Sequence, residues 1–187
     1  MQMFGRTVIY TDVTSVTAEN VRDVLTKALA VHHKNQAEID YLYGYYKGKT
    51  PILQKKKEVR PTINHQICEN RANEIVSFKV GYLVGEPIQY VGRTNKKATI
   101  SSITKLNNLM TCETKSSRDQ EIVEWGMICG TAYRIVLPKR PLFDGDSPFK
   151  IRTLDPRDTM IVYSSGVDEE ALLAAKFARD EDDREIA

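Results

Sequence analysis

At 187 residues with a formal net charge of +2, the chain is long enough for one substantial core, or for a core plus a smaller appendage. Its apolar share of 41% and charged share of 28% are those of an ordinary folded protein. The near-neutral balance excludes a surface that is basic all over, though not a local basic patch. The cysteines, Cys68, Cys112 and Cys129, are odd in number and widely spaced, which fits free thiols in a reducing compartment better than a disulfide framework. No stretch supplies the ~18 apolar residues of a membrane span. The opening MQMFGRTVIYTDV lacks the layout of a signal peptide, so folding in the cytoplasm is expected.

Residues 4–13 read as a short strand or an extended arm. Thr17 is placed to cap a helix beginning near Ala18, on which Val21, Val24, Leu25, Ala28, Leu29, His32, Ile39, Leu42, Tyr43 and Tyr46 return to one side. The polar run HHKNQ interrupts that pattern. Unbroken, the helix would span roughly 45 Å, so a break near Asn35 or an outward-reaching helix is expected. Gly44, Gly48 and Pro51 end it. The charged run Lys47, Lys49, Lys55, Lys56, Lys57 and Arg60 follows.

A second helix is expected from Pro61 and Thr62, through Ile63, Ile67, Ile75, Val76 and Val80, to a left-handed cap at Gly81. Tyr82–Val84 and Ile88–Val91 then look like strands, and GRTNKKAT like a polar loop. Ile103, Leu106, Leu109 and Met110 suggest a helix over about 100–110. Ser117 and Gln120 form a capping-box start for a further helix, which Gly130 ends. Residues 132–138, 149–156 and 159–165 are β-branched runs punctuated by Pro and Gly, the pattern of antiparallel strands. The final stretch is rich in helix formers and acidic residues and lacks an apolar closing element, as if the chain stopped short.

Candidate chemistry is sparse. His65 and Cys68, at i and i+3 of the expected helix, have the proximity of a ligand pair or a Cys–His nucleophile, but two groups are too few for structural zinc. His32 and His33 point about 100° apart on a helix and suit surface or partner contact. Asp144, Gly145 and Asp146 lack the spaced oxygens of a calcium loop and read as an Asp-Gly turn between strands. No phosphate-cradling motif and no GxSxG elbow is present. Trp125, the only tryptophan, suits a core or subunit interface better than base stacking. These residues imply no catalytic, metal or cofactor site. If all six cations of residues 47–60 met phosphates, binding would fall on the order of 10³-fold between 50 and 200 mM salt. A solvated loop partly offset by Glu58 is the alternative.

Several motifs in order nevertheless resemble one family. Tyr45-Tyr46-Lys47-Gly48 ends the long helix, and Pro51-Ile52-Leu53 follows. Asn70, Ile75 and Val76 then precede Gly81, Tyr82, Gly85, Pro87 and Tyr90 in a GY-x-x-G-x-P-x-x-Y pattern. Gly130-Thr131-Ala132-Tyr133 leads into a strand, and residues 154–163 make a strand pair ending in Val-Tyr. Over residues 18–178 the chain is similar to the portal proteins of tailed bacteriophages, of the siphophage type found in phages and prophages of Gram-positive bacteria.

The resemblance implies an α+β fold: a long N-terminal helix, with further helices packed on a small antiparallel or mixed sheet, as in the portal wing. Residues 1–16 would be an arm or short strand, 17–167 the wing-like domain and 168–187 a charged terminal segment, with stem, clip and crown elements absent. Residues 168–179 are helical by propensity but a strand by resemblance. The implied role is a structural, non-enzymatic subunit of a dodecamer-type ring at one capsid vertex, assembled in the host cytoplasm. Such a ring passes double-stranded DNA and meets terminase, capsid or scaffold, and head–tail connector proteins. The alternative is a small nucleic-acid-binding α+β module using residues 47–60.

Overall fold

The structure is a computed structural model. It describes residues 7–59, 64–94, 96–140, 143, 146–179 and 185–186. The chain divides into two compact units, one of Met1–Tyr45 with Asp155–Ala187, the other of Tyr46–Leu154. Helices and small mixed or antiparallel sheets make the fold α+β, and the long N-terminal helix is present.

In the first unit, helix α1 runs from Val21 to Tyr46 without a break. It starts later than expected because Asn20 organises the preceding turn. Its Oδ1 accepts the Thr17 N–H at 2.8 Å, while the Thr17 carbonyl receives the Val21 N–H at 3.0 Å. The polar run does not interrupt α1, because two of its members point inward and are satisfied there. His32 is buried, its Nε2 lying 2.9 Å from the Arg157 carbonyl and its ring edge-on to Phe177. That corrects the expectation that His32 sits at the surface; His33 is exposed. The Asn35 amide exchanges two hydrogen bonds with the Thr7 backbone, at 3.0 and 2.9 Å. With Val24, Ala28 and Ile39 these residues form one buried helical face.

Strand β1 (Ile9–Thr11) and two later strands, β4 (Thr159–Ser164) and β5 (Ala171–Lys176), make a three-stranded sheet. Strand β1 pairs with β4 in parallel and β4 pairs with β5 antiparallel, which makes this the mixed sheet that the resemblance allows. Ile9, Val24, Ala28, Met160 and Val162 form the core, with Leu173 and Ala175 of β5 packed on it. Residues 171–176 are therefore a strand despite their helix propensity. The edge of β4 offers hydrogen bonds, and alternate side chains reach the core, which outweighs local preference.

The second unit contains a 3₁₀ turn (Pro51–Gln54), α2 (Arg71–Val84), α3 (Lys97–Cys112), α4 (Lys115–Cys129) and the hairpin of β2 (Tyr133–Pro138) with β3 (Phe149–Leu154). Helix α2 begins later than expected. Asn70 is its N-cap, accepting the Asn73 N–H at 3.2 Å. Residues 64–70 are not helical; the Asn64 and Gln66 side chains instead donate to the Lys55 carbonyl at 2.8 and 2.6 Å. The expected start at Pro61 and Thr62 lies outside the described residues.

Gly81 is a mid-helix residue, not a left-handed cap, and Tyr82–Val84 are helical, not a strand. Residues 88–91 form no strand either. The Asn107 side chain supplies what a neighbouring strand would, receiving the Tyr90 N–H and donating to the Tyr90 carbonyl, both at 3.1 Å. Lys97–Thr99 of the expected loop are the first turn of α3. Ser117 and Gln120 lie within α4, which starts at Lys115 after a left-handed Thr114, so the capping box is not used. Gly130 ends α4 as expected, at φ +68°. The final pairing described joins β6 (Ala178–Arg179) to β7 (Glu185–Ile186).

Candidate functional site

Tyr46 and Gly48 meet Asn70, 24 residues beyond Tyr46, at one joint. Gly48 takes φ +78°, a conformation that favours glycine, and a Cβ there would lie 3.3 Å from the Asn70 side-chain nitrogen. Asn70 donates to the Tyr46 carbonyl at 3.0 Å while capping α2, so one side chain ties the end of α1 to the start of α2. Tyr46 donates its hydroxyl to Glu124 of α4 at 2.6 Å. The joint thus fixes three helical segments by hydrogen bonds. Cys68 belongs to it: its thiol contacts the Gly48 carbonyl at 3.4 Å and accepts from the Thr50 hydroxyl at 3.2 Å.

Downstream, a Cβ on Gly85 would lie 2.3 Å from the Gly81 carbonyl oxygen, so glycine is needed for close backbone approach. Pro87 lines an open cleft of about 450 Å³ with Gln89, Asn107, Met110, Lys115 and Asp119. The Lys115 ammonium also lies 5.6 Å from the centre of the Tyr90 ring. Tyr133 opens β2 opposite Leu154.

One charged network joins α4 to the hairpin. Asp119, buried, accepts from Lys115 and, at 2.7 Å, from Arg134 of β2. Burial alone would push its carboxyl up, but the hydrogen bonds and charges of Lys115 and Arg134 hold it below the usual carboxylate range. Arg134 also donates to the Arg118 carbonyl at 3.1 Å, and buried Glu113 receives the Ile151 N–H at 3.2 Å. These groups fasten strands to helix ends.

The other sequence candidates separate. His65 is exposed and outside any helix, so the one-face pairing with Cys68 does not exist. Trp125 is half-buried, and its carbonyl lies 3.2 Å from the Cys129 thiol. Asp146 takes the Lys139 ammonium at 2.8 Å and the Ser147 N–H at 2.9 Å. Asp144 and Gly145 lie outside the described residues. Among the described residues no group of three His, Cys, Asp or Glu is placed to hold a metal ion. No described helix is long and apolar enough to cross a membrane. Lys47, Lys49, Lys55, Lys56 and Lys57 are all exposed on either side of the 3₁₀ turn, with Lys47 5.3 Å from the Tyr46 ring centre. Arg60 is not among the described residues.

Sequence reasoning missed Asn35, Asn107, Glu113, Asp119 and Arg134. A lone polar residue at a core-facing helical position was the available signal for Asn35. Partners 15 or more residues away, as for Asn107 and Asp119, leave no local trace.

The family model described as phage portal protein, SPP1 Gp6-like, matches residues 26–187. No curated protein matches the chain.

Proposed function

Because the chain belongs to the family of phage portal proteins, SPP1 Gp6-like, we propose that it acts as a subunit of a closed ring at the portal vertex. In this reading the ring passes double-stranded DNA during packaging and ejection and docks the terminase and the head–tail connector. The family match over residues 26–187 carries the proposal. The joint of Tyr46, Gly48 and Asn70 supports it physically, as a hydrogen-bonded anchor within the second unit. The role is structural, with nucleotide hydrolysis left to the terminase. A ring of closed cyclic symmetry provides an axial tunnel without any chemistry in the subunit itself. Assembly takes place in the host cytoplasm before the ring is enclosed in the virion.

The test is mass spectrometry of purified heads from the phage that encodes the chain, with the gene intact and deleted. The protein is expected in heads at a small fraction of the major capsid protein, and deletion is expected to leave heads without DNA. DNA-filled heads formed without it would overturn the proposal.

The exposed lysines of residues 47–57 favour a second, compatible reading in which this segment contacts DNA. With five phosphates neutralised, binding is expected to weaken roughly 500-fold between 50 and 200 mM salt. A response flat in salt would remove DNA from this segment.

A further inference from the structure

Helix α2 is apolar on two opposite faces. Val76 and Val84 are buried on the inner one. Ile75, Phe78 and Tyr82, at i, i+3 and i+7, run along the outer one, exposed by 55, 73 and 82%. Phe78 and Tyr82 are stacked at 13° with ring centres 6.4 Å apart, which makes the outer stripe a flat aromatic surface. Aromatic side chains carry ~150–250 Å² each, so these three residues present roughly 400 Å² of apolar area. A patch of that size is in the range of the largest on a typical monomer, which is often functional. It is also about half of the ~800 Å² per partner in a standard protein interface.

Gly81 flanks the stripe with ordinary helical geometry and no atom within 4 Å of where its Cβ would be. Among the described residues no contact calls for glycine there, in a helix that it weakens.

A second, shorter outward stripe occurs in the other unit. Glu38, Tyr41 and Leu42 are exposed on α1, and Tyr41 lies edge-on to Tyr45, with ring centres 5.3 Å apart. The two stripes carry opposite charge at their flanks, Lys79 on α2 and Glu38 on α1, both exposed. Pairing α2 with α2 of another copy would cover one stripe and leave the α1 stripe bare. Pairing unlike stripes covers both with a single kind of contact, and such heterologous contacts are the ones that close rings of more than two subunits.

We propose that the Ile75–Phe78–Tyr82 face of α2 docks on the Glu38–Tyr41–Leu42 face of α1 in a second copy of this chain. The assignment rests on the portal reading for its ring and names the surfaces that make it. Each α2 stripe faces the next copy's α1, Lys79 lies against Glu38, and Gly81 lets the helices approach.

The test is sedimentation velocity of the purified protein over a wide concentration range, with urea unfolding as a control. Wild type is expected to self-associate. Phe78→Ser is expected to weaken association about tenfold or more, with an unchanged unfolding midpoint because the side chain is exposed. Lys79→Glu is expected to weaken it about threefold, with recovery in the double variant carrying Glu38→Lys. A wild type that stays monomeric throughout, or a Phe78→Ser variant that associates like wild type, would overturn the docking. Weakening by Lys79→Glu without rescue by Glu38→Lys would overturn the α1 partner. Head composition separates this from the portal reading: wild type missing from heads refutes that reading, whereas wild type and Phe78→Ser incorporated equally refute the α2 contact alone.

Discussion

Helix α1 turns the polar residues His32 and Asn35 inward, whereas α2 turns the apolar residues Ile75, Phe78 and Tyr82 outward. Both helices invert the simple pattern, for different physical reasons. The inward polar groups of α1 are each matched to a backbone partner, the Arg157 carbonyl for His32 and the Thr7 peptide for Asn35. Burial then costs little and ties distant segments to one helix position. The outward apolar groups of α2 remain largely exposed, apart from the stacking of Phe78 on Tyr82. Exposed apolar area of that kind is neutral for folding and available for association. The first helix shows how its unit holds itself together, and the second leaves an apolar face open for association.

Substitutions can break or sharpen that contrast. The largest loss is expected where α1's inner face meets the sheet. Met160 is fully buried in that core, and Met160→Ala should destabilise by about 2–5 kcal/mol in urea unfolding. Asn35→Ala should cost about 1–3 kcal/mol, because the Thr7 peptide loses both partners in a partly buried setting. A neutral result would mean that the inward polar groups of α1 do not anchor anything.

Asp119→Asn in the second unit should cost about 1–3 kcal/mol at neutral pH, since Lys115 and Arg134 lose their charged acceptor. The folded-state pKa of Asp119 is depressed. Its contribution is therefore present above the ordinary carboxylate value of about 3.9 and is lost as pH falls through the folded value. The stability gap between wild type and the variant should close in acid, measured by unfolding at a series of pH values. Gly48→Ala should cost about 1 kcal/mol through its left-handed backbone, with further crowding against Asn70. The smallest effect on folding is expected for Tyr82→Ser on α2, within about 0.5 kcal/mol, because the ring is exposed. A large destabilisation there would show that the outer stripe belongs to the folding core after all.

Much of the fold was legible in the sequence where local chemistry decides it. The periodic apolar face of α1, the left-handed Gly130 and the β-branched runs that became β2, β3 and β4 needed no distant partner. Elements decided by tertiary partners were harder to read. Residues 171–176 are helical by propensity and a strand by resemblance, and β4 pairs them as a strand. The HHKNQ run looked like an interruption because the Thr7 and Arg157 groups that satisfy it are 28 and 125 residues away. The start of α2 was placed too early because Pro61 and Thr62 are good capping residues, while Asn70 wins by adding the bond to Tyr46. The motif residues of the site were readable as a set, but their meeting at Tyr46, Gly48 and Asn70 was not, since spacing carries no information about contact across a turn.

The central claim is that the chain is built to assemble into a portal ring, and negative-stain electron microscopy of the purified protein tests it most directly. Closed rings of uniform diameter with an axial opening are the result expected. Dispersed single subunits at every concentration and salt condition would contradict it.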